Sequence, residues 1–324
     1  MPLVYLIGRR LFSPSHGLLA AAGAAVLPSL IFWTPVLLSE TFFTFVFAAA
    51  VLLVLHTLGE DGRLSIRSAA LAGFVVGLGA LVRGQALVLL PVAILWWRLS
   101  GAETRSSLRA GLVALVAAFV VLLPWAMRNA SVFDSPVLLS TNLGYNLRVG
   151  HAPYATGRFI DPQDLDLPAS DYQHLELLAN EEGARRALDY AWDNPGRELE
   201  LTIAKVRWLW SPDPDVLLWI ASFGRTPLSA GTESLLRLLV VISYWLVIAL
   251  VGFAIATRSA ERKDLVFAGL LSLAWTSVHV VFFGEPRYHL PLLPVLLPFA
   301  AAGLLALIRL VPLPGPAEPP PGRP

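Results

Sequence analysis

The sequence predicts an all-α polytopic membrane protein of about eight transmembrane helices with a large extracytoplasmic loop region. Three observations predict it. Of 324 residues, 56% are hydrophobic and only 15% charged, whereas a soluble domain usually carries about 25% charged residues. Apolar runs of about 18 residues or more, the length of a bilayer span, recur along the chain. The basic residues collect on alternate connections between those runs. A very hydrophobic soluble helical protein would leave the runs with no polar face, and is set aside.

The spans are expected near Leu18–Val36, Thr41–Leu58, Ile66–Val82, Gln85–Leu99, Leu108–Met127, Leu235–Thr257, Leu265–Phe283 and Leu290–Ile308. The fourth is short and holds Pro91, so it is expected to tilt, bend or bury itself among its neighbours. Arg9 and Arg10 precede the first span. Arg63 and Arg67 follow the second; Arg98, Arg105 and Arg109 follow the fourth. Arg258, Arg262 and Lys263 follow the sixth, and Arg309 follows the last. If the spans alternate, all of these fall on one face, which is therefore cytoplasmic, with both termini on it. The multi-pass protein is expected in a bacterial inner (plasma) membrane. The opposite short turns hold only Arg83 and Arg287.

This divides the chain into four parts: an N-terminal transmembrane module (1–127), an extracytoplasmic loop region with short helices (128–233), a C-terminal transmembrane module (234–310) and a Pro-rich, disordered tail (311–324). In the loop region a helix is expected near Asp171–Trp192 with Ser170 as its N-cap. A second helix starts from Asn194-Pro195, as cap and first-turn residue, and ends on a Lys205–Trp210 segment suited to the interface. No internal repeat is evident, which weakens an inverted-repeat transporter reading. Leu3–Ile7 is apolar, too short to span, and runs into Gly8-Arg9-Arg10. It reads as the cytoplasmic end of a membrane helix, so a further upstream helix and outer loop are expected.

Charge and composition bound the function. A net charge of +1 argues against a nucleic-acid partner, and the lack of cysteine excludes thiol catalysis, thiolate metal sites and disulfides. The N-terminus does not read as a signal peptide, because its basic pair follows the apolar residues.

The remaining polar residues collect on the extracytoplasmic face. Ser39-Glu40 opens the second span: either an N-cap and a dipole-favoured glutamate, or a carboxylate that orients an acceptor or binds a metal. Arg83 lies in a tight outer turn, where a cation either snorkels to the interface or meets a lipid phosphate, for which guanidinium geometry is suited. Arg128 closes the fifth span within Pro124–Asn129, beside the interface anchor Trp125. Asn142, Gly144, Asn146, Gly150, His151 and Gly157 form a small-and-polar loop, either a plain structured loop or one that wraps a sugar with amide hydrogen bonds. A metal role for His151 is disfavoured, since no other ligand-type residue is near it in sequence. Gly284–His289 forms the last outer turn, either a capped interfacial turn or one in which Arg287 is a second anion-binding point facing Arg83.

The chain resembles the integral-membrane glycosyltransferases of the GT-C class, and most closely bacterial relatives of protein O-mannosyltransferases and lipid A aminoarabinose transferases. The resemblance rests on Leu38–Thr41, Gly77–Arg83, Pro124–Asn129, Gly144–Leu147 and Arg287–Pro291, and extends from about Leu3 to Ile308. It implies a transferase that moves a sugar from a polyprenyl-phosphate donor to an acceptor outside the cytoplasm: protein glycosylation or another cell-envelope modification, with a protein, lipid or polysaccharide acceptor. By position, Arg83 matches the basic residue near the donor phosphate, Arg287-Tyr288 the second donor-side motif, and Glu40 an acidic residue after an outer loop, here assigned as catalytic. Arg128, Asn142, Asn146 and His151 join Arg83, Arg287 and Tyr288 as substrate-binding candidates. The family places a catalytic aspartate in the first outer loop, and this sequence lacks that loop.

The donor phosphate leaves, so cations that meet its growing charge lower the barrier. The acceptor hydroxyl needs a general base, normally a carboxylate. Arg83 and Arg287 answer the first need; nothing in the sequence clearly answers the second, and the chain taken alone is expected to be inactive or crippled. No cofactor is assigned, and a divalent cation is left open. The alternative is a non-catalytic membrane protein that handles or transports lipid-linked glycans, for which charges along the interior of several spans are expected and nearly absent.

Overall fold

The structure, a computed structural model, describes residues 1–165, 175–223 and 228–310, and its regular structure there is helical, with a single isolated β-bridge between Leu58 and Leu64. The expected tail (311–324), the Ser170 cap and the first residues of the helix expected from Asp171 lie outside the described residues.

Three short helices open the chain, each starting on a proline: α1 (Pro2–Leu11), α2 (Pro14–Val26) and α3 (Pro28–Trp33). The span expected over Leu18–Val36 is therefore broken. Pro28 lacks an N–H and crowds the preceding residue out of the helical region, and Leu27 accordingly sits extended at φ −69°, ψ 115°. α1 and α2 approach at Gly8 and Gly17, where a Cβ on either would overlap the other's backbone.

Four helices complete the N-terminal module. They are α4 (Glu40–Thr57), α5 (Ile66–Val82), α6 (Leu89–Leu99), which follows a 3-10 turn at Gly84–Val88, and α7 (Thr104–Phe133). Gly73 and Gly77 of α5 lie directly against Ala114 and Ala118 of α7. Small residues let two helix backbones approach closely where water provides no driving force.

The loop region holds α8 (Leu143–Gly150), α9 (Leu175–Asp193), α10 (Pro195–Leu209) and α11 (Val216–Phe223). Asn194 stands at the start of α10 as expected, but its amide donates to Tyr190 O (2.9 Å) and caps nothing. The C-terminal module is α12 (Ala230–Ala256), α13 (Arg262–Val281) and α14 (Leu293–Leu310), the last entered through a 3-10 turn at Pro286–Leu292.

Five helical segments are long and apolar enough to cross a membrane: Glu40–Thr57, Thr104–Phe133, Ala230–Ala256, Arg262–Val281 and Pro286–Leu310. Ile66–Val82 and Gly84–Leu99 are apolar but shorter. The chain is an all-α, multi-pass membrane protein.

α14 runs through the centre, buried without interruption from Leu293 to Gly303, as a helix apolar on every face must be. On one side Phe43, Phe47, Trp96, Phe267 and Trp275 join α4, α6, α13 and α14. On the other, Ala20, Trp33, Val216 and Val247 join α2, α3, α11 and α12. The bundle has two unlike ends. At one, Arg9, Arg10, His56 and Lys263 line a polar cavity of about 550 Å³, beside a smaller one that holds Arg309. At the other, α4 begins and α5 ends.

Candidate functional site

At that second end three elements distant in sequence converge on one carboxylate. Glu40, the first residue of α4, is 3% exposed. Its Oε1 accepts from Arg83 Nη2 at 2.6 Å, and Arg287 Nε lies 3.6 Å from the same oxygen. Arg83 stands where α5 gives way to the 3-10 turn, extended at φ −149°, ψ 121°, which points it back over the start of α4. Its Nε donates to Ser39 Oγ (2.8 Å), so Ser39 holds the arginine and makes no cap bond. Tyr288 lies between the guanidiniums, with ring-centroid distances of 5.5 Å to Arg83 and 5.4 Å to Arg287.

Two groups in this cluster are unspent. Glu40 Oε2 and Arg287 Nε are buried with no hydrogen-bond partner. Leaving a buried charged group without a partner costs about 1–3 kcal/mol or more. Phe43, Gln85, Trp275, His279 and Pro291 wall the space between them, which has room for about one water (about 10 Å³). The cluster is a cradle closed on one carboxylate: two guanidiniums beside Glu40, with the Arg287 Nε left without a partner among the described residues.

Glu40 was assigned from sequence as the catalytic carboxylate. In the structure its Oε1 is hydrogen-bonded by Arg83 and lies near Arg287 Nε, and the side chain is buried.

Arg287 also lines a second, larger cavity of about 540 Å³, with Arg158, Asp213, Asp215, Trp219 and Glu285 among its walls. The Arg287 guanidinium lies 5.2 Å from the Trp219 ring centre. Arg158 ties two of the three carboxylates: it donates to Glu285 Oε1 (3.2 Å) and Oε2 (3.1 Å) and to Asp215 Oδ2 (3.0 Å). Glu285 Oε1 also accepts from Phe159 N at 3.0 Å. Arg237 Nη1 lies 3.7 Å from Asp215 Oδ1. Asp213 differs. It makes no ion pair among the described residues; it is 4% exposed and accepts one hydrogen bond, from Trp33 Nε1 at 2.9 Å. Burial pushes its carboxyl up to about 7, the Trp33 bond opposing.

The other sequence candidates lie elsewhere. Arg128 and Asn142 line an open groove of about 480 Å³ with Trp125 and Tyr145. Arg128 is spent on Asn129 Oδ1 (3.1 Å) and lies 5.2 Å from the Trp125 ring, and Asn142 accepts from Ser140 Oγ (2.7 Å). Gly84, between Arg83 and Gln85 of the cradle, packs against the groove wall, where a Cβ would touch Leu139 at 3.3 Å.

Asn146 lies on α8 and lines neither that groove nor the cradle. Of the segment expected as either a structured or a sugar-wrapping loop, Leu143–Gly150 is a helix and the remainder to Gly157 is irregular, and Gly144 and Gly150 are close-packing positions. A Cβ at Gly144 would overlap Asn180 O and one at Gly150 would overlap Phe282 O.

His151 is apart from the cradle. Its Nδ1 lies 2.7 Å from Glu198 Oε2 and its Nε2 2.8 Å from Val281 O. Lys205 Nζ reaches the same Nε2 (3.2 Å) and Val280 O (3.0 Å), so the group pins α8 and α10 to the end of α13. Lys205 is 1% exposed, and burial lowers its ammonium to about 8.

Sequence reasoning missed Asp213, Asp215 and Arg158 as cavity residues. One signal was available: Asp213 and Asp215 alternate with prolines in Ser211-Pro212-Asp213-Pro214-Asp215, a turn too rigid to let the carboxylates wander. Arg158 carried no such mark. Among the described residues no three His, Asp or Glu side chains converge as metal ligands.

Residues 1–127 match the family model of dolichyl-phosphate-mannose-protein mannosyltransferases. The matched segment contains Glu40 and Arg83 and stops before Asp213 and Arg287. The match covers less than half of the chain, and over those residues it is a likeness to glycosyltransferases. No curated protein and no solved structure matches the chain significantly.

Proposed function

We propose that the chain transfers a sugar from a polyprenyl-phosphate donor to an acceptor on the extracytoplasmic side of a bacterial plasma membrane. The observation that carries this reading is the buried convergence of Arg83 and Arg287 on Glu40, with donors left over. Two guanidiniums held a few ångströms apart by a fixed carboxylate suit a phosphate that gains charge as the sugar departs. Glu40 fixes them in advance, so little reorganisation is needed at the moment of reaction. The grouping of Arg9, Arg10, Lys263 and Arg309 at the opposite end supports a cytoplasmic location for that end and for both termini.

In this reading the donor's lipid tail stays in the bilayer and its phosphate meets Arg83 and Arg287 at the exposed edges of their guanidiniums. The sugar then projects into the 540 Å³ cavity, which shares Arg287 with the cradle. That volume lies within the range of small-molecule sites, about 300–1,000 Å³. A protein hydroxyl is the acceptor that fits the family match to protein mannosyltransferases.

The test is binding of undecaprenyl phosphate to the purified protein in nanodiscs by native mass spectrometry. Arg287→Ala keeps the Glu40–Arg83 pair and removes the uncommitted cation. A charge-assisted hydrogen bond contributes about 1.5–3 kcal/mol, so affinity is expected to fall about 10- to 100-fold. Equal binding by wild type and variant would overturn the proposal. If the wild type binds the lipid but native membranes show no sugar transfer that depends on it, the chain is a non-catalytic handler of lipid-linked glycans.

A further inference from the structure

We propose that the acceptor hydroxyl enters the cavity lined by Asp213, Trp219 and Arg287, and that Asp213 takes its proton. The inference rests on the reading of the cradle as the donor-phosphate site and extends it to the half of the reaction that the sequence left without a residue. Three carboxylates line the cavity. Glu285 and Asp215 are bound by Arg158, and Asp215 is approached by Arg237 as well. Ion-paired carboxylates are held as anions and are poor proton acceptors near neutral pH, because the paired cation stabilises the charge that a proton would remove. Asp213 alone meets the cavity without an ion pair, and it is more than nine-tenths buried.

Its backbone is fixed. Pro212 and Pro214 flank it, and the turn is closed by Leu217 N bonding to Pro214 O (3.2 Å) and Leu218 N to Asp215 O (2.9 Å). Trp33, itself buried at the end of α3, holds one carboxylate oxygen. A base fixed at both ends and shielded from water is organised before the acceptor arrives.

The charged groups facing it are Asp215 on its own segment, Glu285 and Arg287 from the turn that leads into α14, Arg158 from the segment after α8, and Arg237 from α12. Asp215 and Glu285 raise its proton affinity, Arg287 lowers it, and burial dominates. The result is a carboxyl that releases its proton at about 7, where a general base works best.

The step balances within these groups. The acceptor oxygen forms its bond to the sugar's anomeric carbon as the carbon–phosphate-oxygen bond breaks. The electron pair of that bond leaves with the phosphate, which Arg83 and Arg287 hold, and the hydroxyl proton goes to Asp213. It returns to solvent on release of product.

The experiment uses native membranes from a strain lacking the gene, complemented with the full chain, which supply the natural acceptor. The probe is radiolabelled mannosyl-phosphoryl-undecaprenol, with label transfer followed from pH 5.5 to 8.5. Wild type is expected to gain rate with rising pH through about 7. Asp213→Asn keeps the oxygen that Trp33 bonds and is expected to lose about 10²- to 10⁴-fold and its pH dependence, with undecaprenyl phosphate binding unchanged. Trp33→Phe removes the bond that lowers the proton affinity, so its rate should rise at a higher pH and reach a comparable plateau. A purely structural role would instead lower both variants together and leave the pH profile where it is. An Asp213→Asn rate within threefold of wild type, or an unmoved profile, overturns the inference while the donor reading stands. A wild type that neither binds the lipid nor transfers label overturns both.

Discussion

Two ionic clusters sit at the same end of the bundle, and they spend their cations differently. In the knot of His151, Glu198 and Lys205, the cationic side chain and the imidazole both reach main-chain carbonyls, Val280 O and Val281 O. In the cradle of Glu40, Arg83 and Arg287, neither arginine bonds a carbonyl, and the buried Nε of Arg287 has no hydrogen-bond partner among the described residues. A lone buried carboxylate oxygen does not separate them, since Glu198 Oε1 is as orphaned as Glu40 Oε2. The uncommitted cation does. A guanidinium has five donors, and in the cradle the buried Nε of Arg287 is bound by neither main chain nor side chain among the described residues. The knot, by contrast, is a bracket.

The comparison is tested most severely by removing one cation from the cradle. Arg83→Ala leaves Glu40 buried with Arg287 at 3.6 Å and no hydrogen-bonded partner. Breaking one side of a buried pair typically costs about 3–5 kcal/mol, because the remaining charge stays in a poor dielectric. Arg83→Ala with Glu40→Gln should recover most of that loss without restoring lipid binding. Unfolding in mixed micelles checks it: a single variant as stable as wild type would mean that Glu40 finds water there, and the cradle is not closed.

This contrast explains what could be read in advance. The helical class and the gathering of Glu40, Arg83 and Arg287 at the end of the bundle opposite Arg9, Arg10 and Lys263 were legible, because bilayer span length and alternating basic connections are properties of local sequence. The break at Pro28 was legible too, in the proline itself, but the apolar run on both sides outweighed it. The surroundings of His151 and of the glycines at 144 and 150 were not legible, for a physical reason. A glycine that lets two backbones touch and a glycine that lets a sugar approach look the same in sequence, and only the neighbour decides. Asp213 was not legible as a base because its character comes from Trp33, 180 positions away, and from Arg158 being occupied elsewhere.

The second prediction concerns the knot, and its effect is smaller. Burial lowers the Lys205 ammonium to about 8, against an ordinary value of 10.5. Between those values the unfolded chain holds a proton that the folded chain has released. Stability therefore rises with pH from about 8 to 10.5 and is lost again on acidification through that range, by up to about 3 kcal/mol. Lys205→Met should abolish that rise, read as the difference between the two unfolding curves, while undecaprenyl phosphate binding at pH 7.5 stays within twofold. The chain has only one other lysine, Lys263 at the opposite end, and the seven tyrosines, whose ordinary value is about 10, are common to both proteins and cancel in the difference. A Lys205→Met protein that folds normally but binds the lipid ten times more weakly would make the knot part of the site and dissolve the distinction.

The smallest effect is expected in the open groove, where the comparison is sharpened rather than broken. Asn142 is exposed at the start of α8 and accepts from Ser140 Oγ two residues away. A bond so local, facing solvent, is replaced by water when lost, and Asn142→Ala should change stability by no more than about 0.5 kcal/mol. If the groove serves only to join α7 to α8 and α9, transfer of label should likewise stay within twofold. If instead Asn142→Ala lowers transfer about tenfold with lipid binding intact, the groove beside Gly84 carries part of the acceptor. Trp125 and Tyr145 would then be its platform, and an uncommitted side-chain amide would mark a ligand site at the surface as an uncommitted guanidinium does in the interior.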